Sequence, residues 1–258
     1  MNIEFVILGS GTAVPTADRG AAGYLLIIDN EKIMLDCGPG STRKLAQAGC
    51  NLIDLDRVFI SHFHPDHICD LTAILFGSRI PGYARTKVLE LVGPIGLKEH
   101  HEKLLNVFGN WLTSKDYELK ITELAPGETT AQVDYSKYKL IAQLVNHSYP
   151  AFGYRIETPL GIITYSGDTD YCESIISLCK NADIAVLECS TPDERKIHGH
   201  LTPSLAGQIA QTAQVKHLVL SHFYPDCQNV DLIAQCRKFY DGQITLAQDL
   251  MRFSLAKQ

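Results

Sequence analysis

The sequence predicts an α/β protein, a four-layer αββα sandwich with mixed β-sheets, over residues 1–258 as one domain. Three observations point there. Apolar, β-branched runs come in adjacent hairpin-like pairs, strand-like and helix-like stretches alternate after residue 57, and no Gly-, Ser- or Pro-rich linker divides the chain.

Ile3 to Leu8 reads as the opening strand, broken at Gly9-Ser10-Gly11; Tyr24 to Asp29 and Lys32 to Leu35 read as a hairpin about Asp29-Asn30-Glu31. Ser41 to Ala48 has helical spacing, with Ser41 as the N-cap and Gly49 as the residue that ends it, and Arg57 to Ile60 is the next strand. Helices are expected at Asp66 to Phe76, Ile95 to Val107, Cys172 to Cys179, Pro203 to Ala213 and Val230 to Phe239. Strands are expected at Tyr138 to Val145, Phe152 to Glu157, Gly161 to Tyr165, Ile184 to Leu187 and Lys216 to Leu220. Trp111 to Tyr138, polar and irregular with a turn at Pro126-Gly127-Glu128, reads as an excursion within the domain, and no internal repeat shows.

A hydrophobic share of 45% with 20% charged residues is the composition of a folded chain. The net charge of −6 excludes a global pull toward nucleic acid or an anionic membrane, so any RNA contact has to be local. No apolar run reaches the ~20 residues of a membrane helix. Eight cysteines without a C-x-x-C pair, behind a start that lacks the features of a signal peptide, lead us to expect reduced thiols and a cytoplasmic protein.

The chemistry concentrates directly after the strand Arg57 to Ile60, in Ser61-His62-Phe63-His64-Pro65-Asp66-His67. In an extended segment His62 and His64 point to one side and can reach one ion; Pro65 opens a helix that turns Asp66 and His67 toward a second. Other apolar strands also end in residues able to bind metal: Leu140 to Val145 runs into Asn146-His147, Gly161 to Tyr165 into Ser166-Gly167-Asp168, and Lys216 to Leu220 into Ser221-His222. Strand ends on one edge of packed sheets can converge, which is how a rigid scaffold collects ligands from distant sequence. Two divalent ions about 3.5–4 Å apart can share a hydroxide and make it nucleophilic at neutral pH. Zinc is the default with such donors, and manganese or iron fits them too.

In this order, His62, His64, Asp66, His67, His147, Asp168 and His222 resemble the ligand set of the metallo-β-lactamase superfamily, and the similarity runs essentially the whole chain. Leu8-Gly9-Ser10-Gly11-Thr12-Ala13-Val14-Pro15, Ile80-Pro81-Gly82-Tyr83, Val92-Gly93-Pro94-Ile95-Gly96-Leu97 and Tyr165-Ser166-Gly167-Asp168-Thr169 look most like its ribonuclease Z branch and armless phosphodiesterase relatives. The resemblance implies a phosphodiesterase, acting on an RNA 3′ end or a small or cyclic phosphodiester, in which a hydroxide bridging two metal ions attacks. His62, His64 and His147 would hold one ion, Asp66, His67 and His222 the other, and Asp168 both. Asp66 and His200 would act in the reaction, His200 by binding phosphate or protonating the leaving group. Asp36 would orient a ligating histidine from behind, and Glu188 could do similar work. Homodimers are common among these relatives, and Leu71 to Phe76 could supply the surface.

Ribonuclease Z enzymes that trim tRNA usually carry a long arm between the third histidine motif and the bridging aspartate; here His147 and Asp168 are 21 positions apart. Pro39 stands where that branch has an acidic residue, and Gly199-His200-Leu201-Thr202 departs from its His-Glu-Ala-Thr. Two alternatives stay open: a metal-dependent hydrolase of a carboxylic, sulfuric or thiol ester or lactone, and a non-catalytic ligand-binding or regulatory protein. Arg79, Arg85 and Lys87 are candidates for phosphate contacts or solvated charges, His198 is expected to be solvated, and His100 and His101 are expected on an exposed helical face. Gly9-Ser10-Gly11 lacks the rest of a nucleotide-binding fingerprint and reads as a tight turn.

Overall fold

In the computed structural model, residues 1–114, 116–125, 130–148 and 150–255 are described. The chain builds β1 (Ile3–Gly9), β2 (Gly23–Ile28), β3 (Glu31–Cys37), β4 (Arg57–Phe59), β5 (Leu89–Pro94) and β6 (Leu119–Leu124), then β7 (Thr130–Asp134), β8 (Lys139–Val145), β9 (Ala151–Thr158), β10 (Gly161–Tyr165), β11 (Ile184–Glu188), β12 (His217–Ser221), β13 (Gln243–Leu246) and β14 (Arg252–Leu255). They form two seven-stranded sheets, ordered β14-β1-β2-β3-β4-β5-β6 and β13-β12-β11-β10-β9-β8-β7. Each is mixed in the same way. From β14 to β3 and from β7 to β10 neighbours are antiparallel; from β3 to β6 and from β10 to β13 they are parallel. The topology therefore repeats although the sequence shows no repeat.

Helices α1 (Ser41–Gln47), α2 (Pro65–Ile68), α3 (Leu71–Gly77) and α4 (Leu97–Phe108) lie with the first sheet, and α5 (Glu173–Cys179), α6 (Pro203–Thr212) and α7 (Leu232–Arg237) with the second, which gives the expected αββα sandwich. Strand periodicity explains the layering. Ile3, Phe5 and Ile7 join the core shared by the two sheets, whereas Val6 and Leu8 pack with Leu45, Ile74 and Leu97 of the helices. A strand buried on both faces needs an apolar run, which β1 supplies from Phe5 to Leu8. Hydrogen bonds also cross between the sheets, from Tyr24 Oη to Ser221 Oγ at 2.9 Å and from Tyr154 Oη to the Ile60 carbonyl at 2.6 Å.

Several expectations need correction. Trp111 to Tyr138 is where the chain leaves one sheet for the other, contributing β6 and β7 as their edge strands; the turn expected at Pro126-Gly127-Glu128 lies outside the described residues. The helix expected over Asp66 to Phe76 is two, α2 and α3, because the Asp70 amide donates to the Cys37 carbonyl, and its carboxylate accepts from Thr42 N and Oγ. Gly38 packs directly on α2: a Cβ there would sit 1.9 Å from the Asp66 carbonyl oxygen. Arg85 is neither a phosphate ligand nor solvated. Buried to 1%, its guanidinium donates to the carbonyls of Leu52, Ile53, Leu55, Lys87 and Val88 and pins two loops together. Lys87 bonds Asp56, and Arg79 lies over the Trp111 ring. Gly9-Ser10-Gly11 is not the tight turn expected: Gly9 ends β1 and Gly11 bridges to Phe223, with Ser10 N donating to Asp249 and Gly11 N to the Gly20 carbonyl.

Candidate metal centre

Strand direction assembles the site. β3 and β4 run parallel in one sheet, and in the other β8, β10, β11 and β12 all run the same way, so their C-terminal ends share an edge. Asp36 lies near the end of β3 and Ser61 to His67 follow β4; His147 follows β8, Asp168 follows β10, Glu188 ends β11 and His222 follows β12. The main-chain bond from Phe152 N to the Ser61 carbonyl, 2.9 Å, joins the two edges there.

Within the cluster, His64 is extended at the N-cap of α2 with Pro65 in its first turn, and Asp66 and His67 are buried on that turn. Gly167, at φ 58°, leaves space that a side chain would take: a Cβ would sit 2.8 Å from the Phe152 carbonyl and 2.9 Å from Ser61 Cβ. That close approach carries Asp168 in between the two sets of imidazoles. His222 adopts φ 61° and Asp36 φ 54°, left-handed conformations that cost a non-glycine residue energy and are held here by the surrounding bonds.

The outer nitrogens of the imidazoles are taken. His67 Nδ1 lies 2.7 Å from Asp36 Oδ2, His62 Nδ1 2.9 Å from Ser61 Oγ, His147 Nδ1 2.9 Å from the Gly199 carbonyl, and His222 Nδ1 3.1 Å from Ser190 Oγ. Ser61 donates to Asp36 and Ser190 to Glu188, so each hydroxyl oxygen is left to accept from its histidine. These partners assign the proton of each ring to Nδ1 and leave Nε2 as a lone-pair donor. The inner nitrogens meet one another: His67 Nε2 is 3.3 Å from His222 Nε2, and His147 Nε2 is 3.2 Å from His64 Nδ1. Asp168 Oδ1 lies 3.2 and 3.3 Å from the Nε2 atoms of His67 and His222, while its Oδ2 lies 3.8 and 3.9 Å from those of His62 and His147. Asp66 Oδ2 is 3.5 Å from His222 Nε2.

Two of these atoms, His62 Nε2 and Asp168 Oδ1, are buried without a hydrogen-bond partner. A buried polar atom without a partner costs free energy, and here such atoms lie among clustered imidazole nitrogens and carboxylates, so this interior fits a bound cation. Ligand atoms lying within 4.8 Å of one another group as His62, His64, His147 and Asp168, and as Asp66, His67 and His222; a third group, Asp168, His200 and His222, overlaps both sides. Burial and the neighbouring His67 hold His62 well below the usual imidazole pKa. Burial pushes Asp168 up, but the His222 and His67 charges outweigh it and hold the carboxyl well below the usual range.

Behind the ligands lies a second ring of contacts. Asp36, fully buried, accepts from Ser61 N, Ser61 Oγ, Tyr165 Oη and His67 Nδ1. Glu188 is buried too, not a surface carboxylate, and accepts from Thr169 N, Leu201 N, Ser190 Oγ and His200 Nδ1. His200 Nδ1 stands 2.9 Å from Glu188 Oε1 and 3.9 Å from Asp168 Oδ2. Burial disfavours its charge, yet the Glu188 hydrogen bond and carboxylate prevail and push its pKa up to about 9. His198 is exposed and apart from this set. Sequence reasoning missed Ser61, Ser190, Tyr165 and Asp170, whose carboxylate accepts from Gly199 N and Lys196 and so fixes the carbonyl that holds His147. Ser61 and Ser190 each follow an apolar strand on the ligand-bearing edge, which is the signal that could have found them. His100 is not on an open face either: its ring stacks on Phe63, centroids 5.4 Å apart and planes 16° apart, while His101 is half-buried.

A sandwich of two mixed sheets with histidines and aspartates gathered at one edge defines a class of protein, and the comparisons agree. Residues 31–223 match the β-lactamase superfamily domain, and the chain belongs to that family. It is similar to ribonuclease Z of Methanothermobacter thermautotrophicus, 27% identical over an alignment of 298 residues that covers 96% of this chain and 95% of the relative. That alignment is longer than this chain, so the relative carries residues this chain lacks. Among solved structures, the metallo-β-lactamase fold protein YhfI of Bacillus subtilis superposes with a TM-score of 0.84 at 22% identity, covering 98% of this chain and 99% of that one. Human tRNase Z, short form, gives a TM-score of 0.81 at 24% identity with the same coverage, 98% and 99%.

Proposed function

We propose that the chain is a dinuclear metal-dependent phosphodiesterase of the ribonuclease Z type, cleaving an RNA 3′ end or a small or cyclic phosphodiester. The observation that carries this reading is the pair of buried, partnerless atoms, His62 Nε2 and Asp168 Oδ1, amid imidazole nitrogens that crowd one another. In it, His62, His64 and His147 hold one ion, Asp66, His67 and His222 the other, and Asp168 touches both. Zinc suits five imidazoles and two carboxylates, with manganese or iron as alternatives. Bound there, two such ions lower the pKa of a shared water toward neutrality and offset charge on a phosphoryl oxygen.

The chain's own residues do the rest. Asp36, Ser61, Ser190 and the Gly199 carbonyl hold the ligating rings in one tautomer, so the donors are set before a substrate arrives. His200, kept protonated at neutral pH by Glu188, offers a positive charge to the phosphate and a proton to the leaving oxygen. A thiol nucleophile is not needed, and Cys37 and Cys189, the cysteines next to Asp36 and Glu188, are buried with pKa values pushed well up by burial.

The same reading includes a cytoplasmic setting, supported by eight free cysteines. Among the described residues no helix is long and apolar enough to cross a membrane. It also includes a homodimer, for which Phe76 on α3, Phe108 on α4 and Trp111 beyond it offer exposed apolar surface, although Leu71, Ile74 and Leu75 of α3 turn inward. A second reading, hydrolysis of an ester, thioester or lactone by the same ions, draws on the apolar wall of Phe63, Pro94 and Ile95 beside His64. Hydrolysis of bis(p-nitrophenyl) phosphate by metal-reconstituted protein separates the two. Turnover abolished by Asp66→Ala and lowered by His200→Ala is the expected result; turnover of a p-nitrophenyl carboxylic ester alone, with two ions bound, would replace it with the second.

A further inference from the structure

Among the seven candidate ligands His222 alone has a left-handed backbone, at φ 61°. Such a conformation costs a non-glycine residue energy and persists where its neighbours over-determine it. The strand before it is held by its own sheet: Cys189 N donates to the Ser221 carbonyl and Ala247 N to the Leu220 carbonyl, each at 2.8 Å. The two peptides after it are held from opposite sides, since Tyr224 N donates to the Ser190 carbonyl and Phe223 N to the Ser10 carbonyl, both at 3.0 Å. Ser190 follows β11 in the same sheet, whereas Ser10 follows β1 in the other.

Arg19 ties Ser10 to its surroundings. Its Nη1 donates to Ser10 Oγ at 2.7 Å and to the Ala247 carbonyl at 2.5 Å, and its guanidinium lies over the Phe223 ring, 4.5 Å from the centroid. One half-buried side chain thus touches the segments that follow β1, β12 and β13, around the peptide next to His222. Asp249 completes the clamp. Its Oδ1 accepts from Ser10 N and Oγ, and its Oδ2 from Gly20 N, with Lys44 Nζ 3.0 Å away. The Ser10 hydroxyl accepts from Arg19 and donates to Asp249, so the residue is fixed on three sides while its carbonyl holds Phe223 N.

We propose that Arg19 is a positioning residue for the ion that Asp66, His67 and His222 would share: its bonds to Ser10 and Ala247 hold the His222 backbone in the left-handed conformation that turns the ring toward that ion. The inference rests on the dinuclear reading of the site and concerns metal affinity, so it is read without turnover. Zinc-loaded protein is titrated with a chromophoric chelator. Arg19→Met, similar in length but without the guanidinium, should weaken one of the two ions by about tenfold, the lower end of what the outer partners of a ligand contribute. Two backgrounds identify the ion: the change should weaken the ion retained by His64→Ala and leave the ion retained by His222→Ala as it was. Arg19→Lys, able to replace one of the two bonds, should restore part of the loss. Tyr240→Phe deletes a buried bond to the Val215 carbonyl before the opposite end of β12, and should lower the thermal midpoint without moving either affinity. Arg19→Met that leaves both ions as tight as before, weakens both alike or acts on the His222→Ala protein would overturn the inference, as would an equal loss in Tyr240→Phe. Unaltered protein that binds fewer than two ions would remove the dinuclear reading and the inference together; two ions bound without any response to Arg19 would remove the inference alone.

Discussion

Although the two sheets share one topology, an antiparallel half followed by a parallel half, they furnish the candidate metal centre differently. The first supplies His62, His64, Asp66 and His67 from a single short stretch behind β4; the second supplies His147, Asp168 and His222 one at a time, behind β8, β10 and β12. Covalent neighbours fix the geometry of the first set. The second set is fixed only by the register of four parallel-running strands and by the packing of one sheet on the other. A site divided in this way draws four of its seven candidate ligands from local sequence and the other three from the tertiary fold.

The sharpest test of that division removes the residue placed between the two sets. Asp168→Ala should lose both metal equivalents by elemental analysis and lower diester turnover by about a thousandfold or more, because several kcal/mol of charge stabilisation goes with the ions. His64→Ala, on the local side, should lose one equivalent. If Asp168→Ala keeps both ions, the second sheet is not what joins them.

Next in size is His200, which the second sheet holds through Glu188. Its pKa is raised, so the imidazolium persists at neutral pH and is lost as pH climbs through about 9. Turnover of a diester with a poor leaving group should therefore fall along an alkaline limb near that pH. His200→Ala should cost about a hundredfold and erase the limb, and Glu188→Gln should move it down toward the ordinary histidine pKa of about 6.5. A pH profile that neither change alters would deny His200 its part in proton transfer.

Asp36 ties the local set down from β3. Asp36→Asn keeps the volume and weakens the hold on His67, so metal affinity, read by competition with a chromophoric chelator, should fall by about 10- to 100-fold. The smallest effect belongs to the bond that couples the two sheets at this point. Tyr165→Phe deletes the hydroxyl that donates to Asp36 at 2.5 Å and should lower unfolding stability by about 1 kcal/mol. Unchanged urea midpoints would mean that this contact does not fasten the sheets.

The division also explains what could be read from the sequence. Three histidines and a carboxylate within six residues are legible because chance seldom crowds them, and β8, β10 and β12 are legible as apolar runs that stop at a polar residue. β1 to β3 were legible as strands from their apolar runs, Phe5 to Leu8, Tyr24 to Ile28 and Ile33 to Leu35. The edge strands β7, β13 and β14 escaped notice because an edge has one neighbour and often one wet face; β7 alternates exposed and half-buried residues without a strong apolar signal. Leu89–Pro94 ends in Gly93-Pro94, which reads as a turn although both are buried in β5. Ser61 and Ser190 were missed for another reason. Their role exists only once Asp36, Glu188 and the rings are in place, and no local pattern records it.

The pairing of β14 with β1, Ile3 opposite Leu255 and Val6 opposite Arg252, has a kinetic side. As the chain leaves the ribosome, β1 emerges ahead of the other strands and its outer edge waits unpartnered until residues 252–255 have cleared the exit tunnel. Contacts that span so much sequence are slow to form, and an open apolar edge invites other chains meanwhile. Vectorial synthesis thus finishes the first sheet last, after His222 has already been made.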